Sequence, residues 1–167
     1  MSDCNITPNV NISQDDNISQ DDNISQNNSK DDNINIFIGK WKLHKMHNFN
    51  SFLKFIKLNV LISQLIKKIP VSLLIKDYND GSYQKKITSP FYSVDEKILL
   101  DNEYRDYDQF TKKYKMEDNM IICQAKINKY KIKWKEVIYL KKNILYVDFM
   151  WTDKKGVNQF ARHIFKK

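Results

Sequence analysis

Gly39-Lys40-Trp41-Lys42-Leu43 leads into Asn48-Phe49-Asn50-Ser51-Phe52-Leu53, and the change of period between these two pieces decides the fold. In the first piece Gly, Trp and Leu alternate with Lys, the pattern of a half-buried strand. In the second, Phe49, Phe52, Leu53 and Ile56 recur at i, i+3, i+4 and i+7, one face of a helix, with Asn48 in the N-cap position. A second apolar stripe of the same period, Leu58, Leu61, Ile62, Leu65, Ile66 and Ile69, stops before Pro70. Lys54, Lys57, Lys67 and Lys68 lie off both stripes. A strand followed by a two-helix lid suits a structure that encloses a space.

From Val71 onward the period is two. Segments 71–78 and Ser82–Thr88 flank Asn79-Asp80-Gly81, a hairpin turn signal. Further strands are expected over 93–100, 103–108, 110–116, 120–127, 130–139, 144–151 and 157–165, joined by short polar turns. Tyr130, Ile132 and Trp134 alternate with lysines, so one face is sheltered and the other wet. With a first strand over 36–46 the count is ten, antiparallel and up-and-down. That many twisted strands are expected to close, or nearly close, into a barrel instead of leaving raw edges.

The 167 residues, 41% hydrophobic and 13% aromatic, suit one folded domain. The chain divides near residue 35. Before it the unit Asn-Ile-Ser-Gln-Asp-Asp recurs from Asn11 and Asn17, and its isolated Ile residues cannot offset chain entropy, so residues 1–35 are expected to be a disordered acidic tail. The tail holds seven Asp and one Lys, a net of −6, whereas residues 36–167 hold 27 Lys or Arg against 13 acids, a net of +14. A folded part so basic is drawn to anionic membranes, nucleic acid or acidic proteins, although 26 Lys against two Arg also fits an AT-rich coding bias on a solvated surface.

The N-terminus lacks the basic and apolar regions of a secretory signal. Cys4 and Cys123 form no paired motif and fit a reducing, cytoplasmic setting, which leaves the Asn-x-Ser/Thr matches at Asn5, Asn11, Asn17 and Asn23 idle.

Residues 36–167 resemble the intracellular lipid-binding proteins, the fatty-acid-binding and cellular retinoid-binding proteins of the calycin superfamily. The resemblance rests on Gly39-Lys40-Trp41-Lys42-Leu43 followed by Asn48-Phe49-Asn50, where Asn50 replaces the usual acid. It rests also on the order of strand, two helices, proline, hairpins and a final basic strand. It implies a ten-stranded clamshell that binds a small hydrophobic ligand, a long-chain fatty acid or related lipid, non-covalently for intracellular transport. It further implies a monomer without a cofactor that makes transient contact with anionic membranes through the lid lysines Lys54, Lys57, Lys67 and Lys68.

The family holds a carboxylate with inward Arg residues and a Tyr on the last strand, and here the pattern departs. Counted back from the C-terminus, His163 falls at the Arg position and Phe165 at the Tyr position. A one-residue slip would place Arg162 inside and turn Phe165 outward; with His163 inside, Arg162 points outward or packs on Trp41. The second Arg has no counterpart among Val137, Ile138 and Tyr139, so the carboxylate clamp is weakened or absent. The resemblance also places Phe49 and Leu53 above the ligand and Phe91 at the portal. The segment 103–108 is short for the family.

Enzymatic readings find no support. His44, His47 and His163 form no metal-ligand spacing, no nucleophile elbow or phosphate loop appears, and Asp106 and Asp108 read as surface charges. Two other readings compete with lipid carriage. One is a basic barrel that binds nucleic acid or acidic partners. The other is a secreted lipocalin, disfavoured by the helix pair and the missing signal.

Overall fold

The computed structural model describes residues 34–57, 69–107 and 109–167. Ten antiparallel strands form one sheet: β1 (Gly39–His47), β2 (Ser72–Asp77), β3 (Ser82–Thr88), β4 (Ser93–Leu99), β5 (Arg105–Tyr107), β6 (Phe110–Glu117), β7 (Met120–Ile127), β8 (Ile132–Lys141), β9 (Ile144–Thr152) and β10 (Asn158–Lys166). Each strand pairs with its sequence neighbour, with two exceptions. β1 pairs with both β2 and β10, which wraps the sheet, and β4 and β5 share no ladder. The result is a nearly closed barrel with one seam. A side chain spans that seam, the Tyr107 hydroxyl donating to the Lys97 carbonyl at 2.8 Å, and in the β4–β5 connection the Asn102 backbone N–H donates to the Tyr114 carbonyl at 2.9 Å.

Turn chemistry sets the register. Asp118-Asn119 and Lys142-Asn143 all have positive φ, the conformation a two-residue hairpin with the native twist requires. β1 carries a bulge between Leu43 and Lys45. The extra residue shifts the alternation, so Leu43 and Met46, three apart, both face inward.

The strand expected over 36–46 begins later. Ile34–Phe37 form a 3-10 turn whose Ile34 and Phe37 are fully buried. Trp41 Nε1 donates to the Phe37 carbonyl at 2.9 Å. This turn plugs one end of the barrel, where Ile75, Ile98, Ile121, Ile138 and Leu145 fill the interior. The packed region therefore starts by Ile34, two residues ahead of the expected boundary. Tyr130 also departs from expectation: it sits in a second 3-10 turn and is exposed, with Lys57 and Lys129 over its ring.

Helix α1 (Phe49–Phe55) covers the other end. Asn48 precedes it in the left-handed region (φ 50°) and makes no side-chain cap to the helix backbone, contrary to expectation. Its amide instead donates to the Phe160 carbonyl of β10 at 2.7 Å, and its oxygen accepts from the Ser51 hydroxyl at 2.6 Å. The expected second helix, with Lys67 and Lys68, lies outside the described residues, as does nearly all of the acidic tail. No helix among the described residues is long and apolar enough to cross a membrane.

Candidate functional site

Between the packed end and α1 lies a cavity of about 180 Å³. Its apolar wall comes from every side of the barrel: Leu43 and Met46 of β1, Leu73 of β2, Ile87 of β3, Phe110 of β6, and Val147 and Phe149 of β9. The roof is aromatic. Phe52 packs on Phe149 with ring centroids 4.7 Å apart, on Trp151 at 5.4 Å and edge-on to Trp134 at 5.8 Å, while Phe55 stacks on Trp151. Phe49 reaches lower and lines the cavity itself. Offset and tilted aromatic contacts of this kind add to the gain from area burial alone.

The floor carries charge. Lys85 of β3, Glu96 of β4, Lys112 of β6 and Glu136 of β8 are all buried and all line the cavity. Lys85 Nζ lies 2.9 Å from Glu136 and 3.8 Å from Glu96, and Lys112 pairs with the other oxygen of Glu96. The Tyr114 hydroxyl donates to Glu96 at 2.6 Å, and Trp134 Nε1 donates to Glu136 at 3.1 Å. Every carboxylate oxygen thus has a donor, as buried charges require.

Burial by itself would raise Glu136, but Lys85 and Lys112 override it and hold the carboxyl at about 2. Glu96 is held below the usual carboxylate range by the same two lysines against its burial. Burial opposes the charge on Lys85, yet Glu136 and Glu96 raise it above the usual lysine range. Two lysines thus face two carboxylates, and the formal charges of the cluster sum to zero. The Glu96 contacts to Lys112 and Tyr114 also cross the seam that β4 and β5 leave open.

The last strand resolves its register. The Leu43–Phe165 and Met46–His163 pairings, with the bulge between them, turn both His163 and Phe165 into the barrel, where they line the cavity. The His163 ring lies 4.0 Å from that of Phe49 and 5.1 Å from that of Phe149. Burial pushes the imidazole down to about 3, so it is neutral. Arg162 is not brought to the cavity. On the outer face it forms a two-pronged pair with Asp148, Nε and Nη2 donating at 2.7 and 2.8 Å, beside Tyr146 and Phe160. The cation over Trp41 is Lys167, at 4.9 Å.

Of the remaining expected site residues, Leu53 is buried in α1 but does not line the cavity. Phe91 is 76% exposed at the tip of the β3–β4 turn, and its neighbour Tyr92 is the one that lines the cavity. Lys54 and Lys57 are exposed. Sequence reasoning missed the four buried charges, although a signal was present. Each occupies the inward parity of its strand, Lys85 with Tyr83 and Ile87, Glu136 with Trp134 and Ile138.

No protein-family model and no curated protein matches the sequence. Solved structures do match. Lipid binding protein 8 of Caenorhabditis elegans, in its apo form, aligns with a TM-score of 0.70 at 20% identity, covering 80% of this chain and 96% of its own. Fatty-acid-binding protein 1 of Echinococcus granulosus aligns with a TM-score of 0.70 at 14% identity, over 80% and 98% of the two chains. The fatty acid binding protein of Schistosoma mansoni, solved with arachidonic acid, aligns with a TM-score of 0.71 at 13% identity, over 81% and 98%. The fold is that of the fatty-acid-binding barrels.

Proposed function

We propose that the chain is an intracellular lipid-binding protein that holds a small hydrophobic molecule non-covalently inside its barrel and carries it through the cytoplasm. The observation behind this reading is the apolar cavity beneath α1, set in a barrel whose opposite end is packed solid. Each methylene moved from water into such a space gains about 0.8 kcal/mol, offset in part by the freedom the ligand loses. Structural neighbours that are lipid-binding and fatty-acid-binding proteins by name support the same reading.

Size shapes the proposal. The cavity of about 180 Å³ lies below the roughly 300–1,000 Å³ of ordinary small-molecule sites. A medium-length chain fits with little movement, whereas a long-chain fatty acid or related lipid requires Phe49 and α1 to lift. That makes α1 the entry lid, with Lys54 and Lys57 placed to meet an anionic membrane during transfer. Native mass spectrometry of protein purified from its own cells tests the reading: one bound hydrophobic molecule per monomer is expected, and a uniformly empty protein that also rejects added lipids would refute it.

A second reading has one observation in its favour. On the outer face Lys113 and Lys126 both sit over the ring of Tyr104, and Lys133 lies directly across from Lys126. Such a basic surface suits a polyanion such as nucleic acid. Binding that falls steeply with salt would favour it, whereas salt-insensitive uptake of an apolar probe favours the carrier.

A further inference from the structure

Resting on that carrier reading, we propose that the cavity selects molecules with a neutral hydrogen-bonding head group, an alcohol or a carbonyl compound, over carboxylates, and that His163 is the residue that holds the head group.

Two independent features carry this. The first is the completed charge balance of the floor. Among the described residues, Lys85 and Lys112 are the cations that line the cavity, and both are already engaged by Glu96 and Glu136. An incoming carboxylate must either displace one of these acids, leaving it buried without its partner, or sit as one uncompensated negative charge in a largely apolar space. The set is also fixed in place by Tyr114 and Trp134, which donate to the carboxylate oxygens that the lysines do not fully occupy. An alcohol brings no such conflict.

The second feature is an unpartnered polar atom. Among the described residues, His163 Nε2 is buried, makes no hydrogen bond and belongs to a side chain that lines the cavity. A buried polar nitrogen without a partner costs free energy until something pairs with it. The rings of Phe49, Phe149 and Phe165 surround the imidazole, and Glu136 is the charged group that acts on it. A neutral imidazole can accept from a hydroxyl, or in its other tautomer donate to a carbonyl. The ligand's chain then runs along Leu43, Ile87 and Val147.

The test displaces a neutral apolar dye, N-phenyl-1-naphthylamine, from the full-length protein at pH 7.4 with 1-decanol and with decanoate, which differ only at the head. Decanol should compete at least tenfold better than decanoate. His163→Phe should abolish that advantage by weakening decanol, read as the ratio of the two inhibition constants within each variant so that a changed dye affinity cancels, and His163→Gln should restore part of it.

Glu136→Gln supplies a converse arm. The amide oxygen can still accept from Trp134, but Lys85 loses its closest counter-charge, so the preference should move at least tenfold toward decanoate. If the dye binds and decanoate competes as well as decanol, the head-group inference is overturned and the carrier reading survives. Binding of decyl sulfate, an anion that stays ionised throughout, that strengthens as the pH falls would likewise overturn it, since that points to a protonated His163 as an anion partner. If the dye does not bind at all, the carrier reading fails and this inference falls with it.

Discussion

Lys85 shows how a single residue can be visible in a sequence and still be misread. Its position between Tyr83 and Ile87 places it on the inward face of β3, and Glu96, Lys112 and Glu136 follow the same rule on their strands. In a chain with 26 Lys, lysine reads as wet surface, and only strict attention to alternation separates these two from the rest. What no alternation could supply is the pairing, because Lys85 and Glu136 are 51 residues apart and meet only when the barrel closes. Removing one member of a buried pair strands the other. Lys85→Met is therefore expected to cost about 3–5 kcal/mol in denaturant unfolding, and adding Glu136→Met is expected to recover much of that loss.

His163 gives a separate signature in acid. Its folded pKa is about 3 against an ordinary 6.5, so the unfolded chain binds the proton more readily and stability falls as the pH drops below about 6.5. Glu136, held at about 2 against 4.5, adds its own loss only once the pH falls below about 4.5. Urea midpoints measured between pH 6.5 and 4.5 should therefore decline in the native protein and decline less in His163→Phe. Equal slopes in the two proteins would contradict this.

At the scale of elements, the strands were largely readable because their turns were. Ser82–Thr88 and Met120–Ile127 match expectation residue for residue, bounded by Asn-Asp-Gly and Asp-Asn signals. β5 is only three residues long, and its short length also shows in the sequence. Two features were not readable. The β1 bulge depends on how β1 meets β10, a long-range contact, and it brings Met46 to the cavity. The left-handed Asn48 looked like an ordinary helix cap but serves as a strut between α1 and β10. Asn48→Ala should cost about 1–2 kcal/mol, because Ala loses both hydrogen bonds and resists positive φ, whereas Asn48→Gly keeps the backbone comfortable and should cost less. Thermal melts of the two variants check the ordering, and an Ala variant as stable as the Gly variant would count against the strut.

At the scale of the molecule, the barrel is closed at one end by Ile34 and Phe37 and roofed at the other by α1, with the cavity between them. The family resemblance, carried by Gly39, Trp41 and Asn48-Phe49, anticipated the barrel and the lid. It did not anticipate a half-filled interior or a charged floor, since both depend on which side chains meet at the centre. The boundary at residue 35 cut through the plug. Deleting residues 1–37 should therefore lower stability markedly compared with deleting 1–33, since it removes two fully buried side chains and the carbonyl that Trp41 bonds. Guanidinium unfolding of the two truncated proteins measures the difference, and matching midpoints would show that the plug contributes nothing.

The most direct measurement is a titration of the neutral apolar dye against the native protein and against Ile87→Phe, whose added ring fills the cavity from the β3 side. Saturable one-to-one binding, insensitive to salt and lost in the folded Ile87→Phe variant, is the predicted result. Absence of saturable binding, or binding that Ile87→Phe leaves unchanged, would contradict a ligand held inside the barrel.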